Sequence, residues 1–283
     1  MIRVSIFQIR GILVIRIKNR VMRTFIYLIL FIYVSDNDVL AQRGSKKTGD
    51  ELVKSVFEET PLSGLKFRAI GPAQTSGRIS DFAVNPSNFK EYYVATASGG
   101  VWKTINAGTT YTPIFDGMGS YSIGCVTMDP NNYNVVWVGT GENNNQRSVA
   151  YGDGIYKSID GGTNWKNMGL KNSQHIGKIL VDPNDSDIIY VAAIGPLWSS
   201  GGDRGVYKSV NGGESWQLML SIDADTGIND LIMDPRDSKV IYAAAYQRRR
   251  HVFTYLGGGP GSGLHKSADG GQTWTEINKG LPE

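Results

Sequence analysis

The chain has 283 residues, enough for one large all-β domain or two small ones. Apolar residues make up 41% and charged residues 19%, as in folded proteins, and the 35 glycines carry no collagen period and so read as turns. The formal charge of +3 is local: residues 1–41 hold six basic and two acidic side chains, which leaves 23 basic against 24 acidic in the rest, so nothing global favours nucleic acid or an anionic membrane.

In chain order, residues 1–41 read as an export signal, with Met22 as a possible true start. Arg23 supplies a positive start, Thr24–Val34 an apolar run, and Val39-Leu40-Ala41 a cleavage pattern before Gln42. Eleven apolar residues are too few to span a bilayer, which needs about 20. The mature chain is therefore expected to be secreted, extracellular or periplasmic, without a membrane span. Residues 42–64 form a polar lead with one short amphipathic helix, on which Leu52, Val53, Val56 and Phe57 share a face. Cys125 is the only cysteine, so no intrachain disulfide forms, and its strand-like surroundings mark it as a small core residue.

From residue 65 the chain repeats. The segments "WKTINAGTTYTPI" (Trp102–Ile114), "YKSIDGGTNWKNM" (Tyr156–Met168), "YKSVNGGESWQLM" (Tyr207–Met219) and "HKSADGGQTWTEI" (His265–Ile277) recur at steps of 54, 51 and 58 residues. Each is preceded by an Asn-Pro or Asp-Pro marker, at Asn85, Asp129, Asp182 and Asp234. An isoleucine stands six residues before each marker (Ile79, Ile123, Ile176, Ile228) and an aromatic eight after it (Tyr93, Trp137, Tyr190, Tyr242). One repeat reads as four strands: A at Ile176–Asp182, B at Ile188–Ala193, C at Gly205–Ser209 and D at Ser215–Leu220, each β-branched or aromatic and bounded by turn residues. About 50 residues and four strands match a propeller blade, which buries its faces only by stacking on its neighbours. Blades are expected at about 78–115, 122–169, 175–220 and 227–278 of an all-β propeller at 65–283.

The recurrent segment joins strands C and D. Ser158, Ser209 and Ser267 open it. Asp160, Asn211 and Asp269 are short enough to accept backbone N–H groups within the turn. Gly162, Gly213 and Gly271 tolerate positive φ, and Trp165, Trp216 and Trp274 offer large rings to pack against the hairpin. Because Asn106 and Asn211 fill the acidic slot without charge, the box is structural and not catalytic. The pattern S-x-D-x-G-x-T-W resembles the Asp-box, or BNR repeat, of sialidases, xyloglucanase-type glycoside hydrolases and the sortilin-type luminal domain. The resemblance covers about residues 65–283. Its nearest form is that of secreted bacterial BNR-repeat proteins with a sortilin-type N-terminal propeller, often grouped with glycosyl hydrolases. It is specific for fold and weak for activity.

Phe67 stands at strand-D spacing before the first repeat, an orphan N-terminal strand whose A, B and C partners are absent. The last repeat ends in its own strand D, so the ring reads as incomplete. The chain is expected to be the front of a longer propeller, with the missing C-terminal blades of the same polypeptide as partners.

All length variation falls between strand B and the box, which gathers insertions in the B–C loops on one face, where binding residues on rigid scaffolds usually sit. The candidate ligand contacts are Arg78 in a D–A loop, Glu142, Arg147 and Asp153 in the second repeat, Trp198, Asp203 and Arg204 in the third, and Arg248 in the fourth. Arg248–Arg250 reads as a solvated edge, as inter-loop salt bridges or as an anion site. Trp198 suits stacking on sugar or peptide. Asp81, Lys178 and Asp230 occupy one register of strand A and face the central channel. No cofactor is expected: "GGGPGSG" (Gly257–Gly263) follows no strand-to-helix pattern, and no His, Cys or acidic cluster has metal spacing. Two functions remain open. One is a ligand-binding module for a glycan or a peptide or protein. The other is a sialidase- or xyloglucanase-type glycoside hydrolase, whose paired carboxylates Glu142 and Asp153 would supply.

Overall fold

The computed structural model describes residues 4–9, 12–17, 78–144 and 149–280. The lead helix, the orphan strand at Phe67, the signal stretch 22–41 and Arg147 lie outside them. The chain divides into two compact units, Met1–Lys66 and Phe67–Glu283. In the first, β1 (Val4–Ile9) and β2 (Ile12–Ile17) form an antiparallel ladder from Val4↔Ile17 to Ile9↔Ile12. Their β-branched content favours strands, although the basic preamble gave no expectation of a ladder.

The second unit is a β-propeller array of four antiparallel meanders. Blade 1 runs β3 (Ile79–Val84), β4 (Tyr92–Thr96), β5 (Val101–Thr104) and β6 (Thr112–Pro113). Blade 2 runs β7 (Ile123–Asp129), β8 (Asn132–Thr140), β9 (Ile155–Ser158) and β10 (Lys166–Gly169). Blade 3 runs β11 (Ile176–Asp182), β12 (Asp185–Ala193), β13 (Gly205–Ser209) and β14 (Gln217–Leu220). Blade 4 departs from the four-strand expectation. After β15 (Thr226–Asp234), strand β16 (Asp237–Arg250) continues past the blade and pairs with β17 (Tyr255–Gly257) before β18 (Gly263–Ser267) and β19 (Thr275–Glu276) complete the sheet. Residues 247–250, expected as loop, are strand because this hairpin satisfies their backbone.

Successive A strands lie side by side, and one apolar core fills each junction between blades. Ala83, Tyr93 and Ala95 of blade 1 meet Ile123, Val126 and Val136 of blade 2. Cys125 and Trp137 meet Ile176, Ile179 and Ile189, and Tyr190 and Ala192 meet Ile228, Leu231 and Ile241. Every A strand carries a register shift just after its isoleucine. There the blades come too close for a side chain: a Cβ on Gly124 would lie 2.1 Å from Ile176 O, and one on Gly177 2.2 Å from Asn229 O. Cys125 is buried, and burial pushes its thiol up to about 12, so it is an inert packing residue.

The recurrent turn is hydrogen-bonded alike in all four blades. Ser158 Oγ accepts the Gly162 N–H at 2.8 Å, and Asp160 Oδ1 accepts those of Thr163 and Asn164 at 3.0 and 2.8 Å. Asn211 Oδ1 accepts the Ser215 N–H at 3.0 Å, so the amide does the carboxylate's work. Two of the box tryptophans reach beyond their own hairpins: Trp165 Nε1 donates to Ile114 O of blade 1 at 2.8 Å, and Trp216 Nε1 to Met168 O of blade 2 at 2.7 Å, whereas Trp274 Nε1 donates to Gly271 O of its own turn at 3.0 Å.

A further device stands at each junction. The lysine after the first aromatic of strand C lies over its own blade's strand-B ring and donates to the box of the next blade. Lys103 covers Tyr93 at 5.1 Å and reaches Gly161 O at 3.2 Å. Lys157 covers Trp137 at 4.9 Å and reaches Gly212 O at 2.9 Å. Lys208 covers Tyr190 at 5.0 Å and reaches Gly270 O at 2.8 Å. The hydroxyls of Tyr93 and Tyr190 donate to the same carbonyls. The carbonyl stands ready because Gly161, Gly212 and Gly270 hold φ near 70°, at 66°, 66° and 71°.

Candidate functional site

The ends of the B strands, the B–C connections and the residues entering the A strands share one face of the blade array. A polar network crosses it. Arg78 enters strand A of blade 1 and pairs with Glu142 beyond strand B of blade 2, its Nε donating to Oε1 at 2.8 Å and its Nη2 to the same oxygen. Asn144 Nδ2 donates to that oxygen at 3.1 Å. Arg248 of blade 4 donates from Nη2 to Asn144 O at 2.8 Å. His175, entering strand A of blade 3, contacts Glu142 O through Nδ1 at 2.9 Å. Four blades thus converge on one cluster.

Its centre is buried and, among the described residues, not fully paired. Glu142, His175 and Arg248 are buried. Among the described residues, Glu142 Oε2 and Arg248 Nε and Nη1 have no hydrogen-bond partner. Burial, then the nearby Arg248 charge, holds His175 down at about 4, so its ring is neutral near pH 7. Arg248 therefore departs from the expected solvated edge: the β16–β17 hairpin carries it inward, while Arg249 pairs with Asp225 at 3.3 Å.

The other candidates divide. Arg204 is buried and fully engaged with backbone: Nε donates to Gly201 O, Nη1 to Ile194 O and Asp225 O, and Nη2 to Pro196 O and Ser199 O. It builds the blade 3 loop and has no donor left for a ligand. Asp203 accepts the Asn172 N–H at 3.1 Å. Asp153 accepts the Tyr156 hydroxyl at 2.5 Å and faces Thr140 at the end of strand B. Trp198 is 57% exposed, and the Arg250 guanidinium lies 5.8 Å from its ring centre. Arg250 is two residues from Arg248 and so on the same side of β16. In the strand-A register that the sequence suggested for a channel, Lys178 pairs with Asp81 at 3.3 Å, and Asp230 is exposed. Asn144 escaped the sequence reading; His175, in a D–A loop just before the strand-A isoleucine like Arg78, is expected on this face from the sequence, though not as a ligand contact.

A second concavity lies on the turn side, between the boxes of blades 1 and 2. This open groove of about 730 Å³ is lined by Lys103, Asn106, Asp116, Met118, Asp160 and Trp165, among others. Among the described residues no cluster of His, Cys, Asp and Glu could hold a metal ion, and no helix is long and apolar enough to cross a membrane.

No protein-family model matches the chain. A xyloglucanase of Hypocrea jecorina (strain QM6a) is 27% identical over 176 residues, 57% of this chain and 20% of that protein. Among solved structures, an ancestral GH74 enzyme superposes with a TM-score of 0.58 at 20% identity, over 75% of this chain and 27% of its own. The GH74 enzyme of Niastella koreensis gives 0.53 at 24% identity, over 71% and 29%. The GH74 xyloglucanase of Xanthomonas campestris gives 0.51 at 18%, over 71% and 30%. The structural likenesses establish the fold, and this chain spans less than a third of each relative.

Proposed function

We propose that this chain is a secreted, glycan-binding β-propeller of the Asp-box type, and that its ligand lies on the face crossed by the Arg78–Glu142–Arg248 network. One observation carries the reading. An exposed indole, Trp198, is held by Arg250 on the same side of a strand as Arg248, a buried guanidinium that reaches across to the Arg78–Glu142 network. A flat, exposed apolar surface edged by the Arg250 guanidinium matches a sugar, which offers an apolar ring face and hydroxyls that accept from such a donor. The similarity to a xyloglucanase makes a β-linked polysaccharide the first class to test.

Calorimetric titration with xyloglucan oligosaccharides tests it. Trp198→Ala should weaken binding about tenfold or more, with the melting temperature unchanged. Asp116→Ala, in the turn-side groove, should leave binding intact. The opposite pattern moves the ligand to the groove.

The second reading, a glycoside hydrolase, draws on the same similarity. It needs two carboxylates about 5–10 Å apart and free to act, whereas Glu142 is held by Arg78 and Asp153 by Tyr156. Release of reducing ends that Glu142→Gln abolishes would favour it over binding alone. Secretion is checked separately: the mature N-terminus should be Gln42.

A further inference from the structure

The surroundings of Trp198 specify more than a stacking ring. Its loop is fixed from two blades. On one side of the indole, the Arg250 N–H donates to Leu197 O at 2.8 Å. On the other, Arg204 Nη2 donates to Ser199 O and Arg249 Nη1 to Ser200 Oγ, both at 3.0 Å. An exposed ring on a backbone held this way loses little freedom when it takes a ligand.

The guanidinium over that ring is half-exposed. Arg250 lies 5.8 Å from the Trp198 ring centre and 5.5 Å from that of Tyr255, so two aromatics hold it. A guanidinium stacked in this way keeps its N–H groups in its own plane, directed out past the rings. Its Nε is buried, which leaves the Nη fork as the reachable edge. Among the described residues, no carbonyl or carboxylate accepts from that fork. The other arginines of the face differ: Arg78 has Glu142, Arg249 has Asp225, Arg204 has the carbonyls of its own loop, and Arg248 is buried.

The sequence around Arg250 supplies no counter-charge. Residues 143–152, 194–202 and 240–268 form the segments that meet here, through Arg248 to Asn144 O and the Arg250 N–H to Leu197 O. They hold four arginines and no Asp or Glu. The carboxylates that border them are committed: Asp153 to Tyr156, Asp203 to the Asn172 N–H, and Asp225 to Arg249 and Ser200. A planar cation with a two-pronged open edge, beside a stacking ring and without an acid, fits a carboxylate. Resting on the glycan-binding reading above, we propose that the sugar stacked on Trp198 is a uronic acid, and that Arg250 binds its carboxylate through the Nη fork. The ligand class thereby narrows from β-linked polysaccharides to acidic ones.

Calorimetry on the full chain tests this with two tetraoses of the same linkage, cellotetraose and its counterpart built of glucuronic acid. The acidic tetraose should bind about tenfold more tightly or better at low salt, and the advantage should shrink as salt rises. Arg250→Gln should remove the advantage. Arg250→Lys, which keeps the charge without the fork, should retain only part of it. Should Arg250→Gln misfold, the unsubstituted chain still decides: equal affinity for the two tetraoses at low salt overturns the proposal. So does an acidic preference that survives Arg250→Gln, or failure of the acidic tetraose to bind at about 1 mM. With equal affinities, or a preference that survives, the reading of the face still stands where Trp198→Ala weakens both sugars. If Trp198→Ala changes the binding of neither, that reading fails and the proposal falls with it.

Discussion

The filled junctions between blades and the two open outer faces are built from the same repeat positions, yet they differ in what water reaches. Ile123, Ile176 and Ile228 are fully buried, while Ile79 at the same position is exposed. Tyr93, Trp137 and Tyr190 are buried under their lysines, while Tyr242 is only partly so. A blade's own strands do not bury its faces. The neighbour does, and so the energy of a repeat array resides in its interfaces.

The sharpest test of that contrast removes one ring from each region. Trp137→Ala, at a filled junction, should cost about 3–5 kcal/mol in urea unfolding. Tyr242→Ala, its counterpart on the open face, should cost no more than about 1 kcal/mol. Equal costs would mean that the outer face is as well covered as the inner one.

The next largest effect depends on pH. His175 is buried at a filled junction, whereas Arg78, at the same position of blade 1, has a side chain 46% exposed. The folded protein holds the imidazole at about 4 against 6.5 in the unfolded chain, so between those values the unfolded chain binds more protons. Stability is complete above 6.5 and falls as pH drops towards 4, by about 3 kcal/mol in all. Unfolding curves across this window should lose that slope in His175→Gln.

Lysines give a finer comparison. Lys157→Met removes a cation–π contact and a hydrogen bond to the next blade, worth about 1–2 kcal/mol together. Lys266→Met, where Lys266 holds no box among the described residues, should fall within about 0.5 kcal/mol of this chain unsubstituted.

The smallest effect tests the boxes. Asp160, exposed, and Asp269, half-buried, are carboxylates held near 2, Asp160 first by the Asn164 backbone N–H and Asp269 first by the Thr273 hydroxyl. Their contribution is present above 3.8 and lost as pH falls through about 2. Asp160→Asn should therefore be silent at neutral pH and flatten only the acid limb of the stability curve, because Asn211 already serves without charge.

The repeat and its turns were legible because they are local. Strand A of blade 3 spans Ile176–Asp182 and its strand C Gly205–Ser209, as β-branched and aromatic runs between turn residues require. The box hydrogen bonds close within four residues, so a five-residue pattern suffices to read them. The lysine of strand C was visible at every repeat but silent, since its acceptor lies more than 50 residues away in the next blade. The candidate site was half legible. Topology placed Arg78, Glu142 and Arg248 among the loops of one face. That Arg204 would turn inward to its own loop's carbonyls, and Arg248 to Asn144 across 104 residues, followed from no local pattern.

The sequence by itself determined the blade: four strands, a boxed turn and the alternation that makes two apolar faces, because hydrogen bonds and side-chain periodicity act over a few residues. Only the tertiary structure decided which of those faces lie buried, that β16 runs on into a hairpin, and that charges from four blades meet at Glu142. Burial and charge pairing depend on what lies across the gap, and no strand encodes its neighbour.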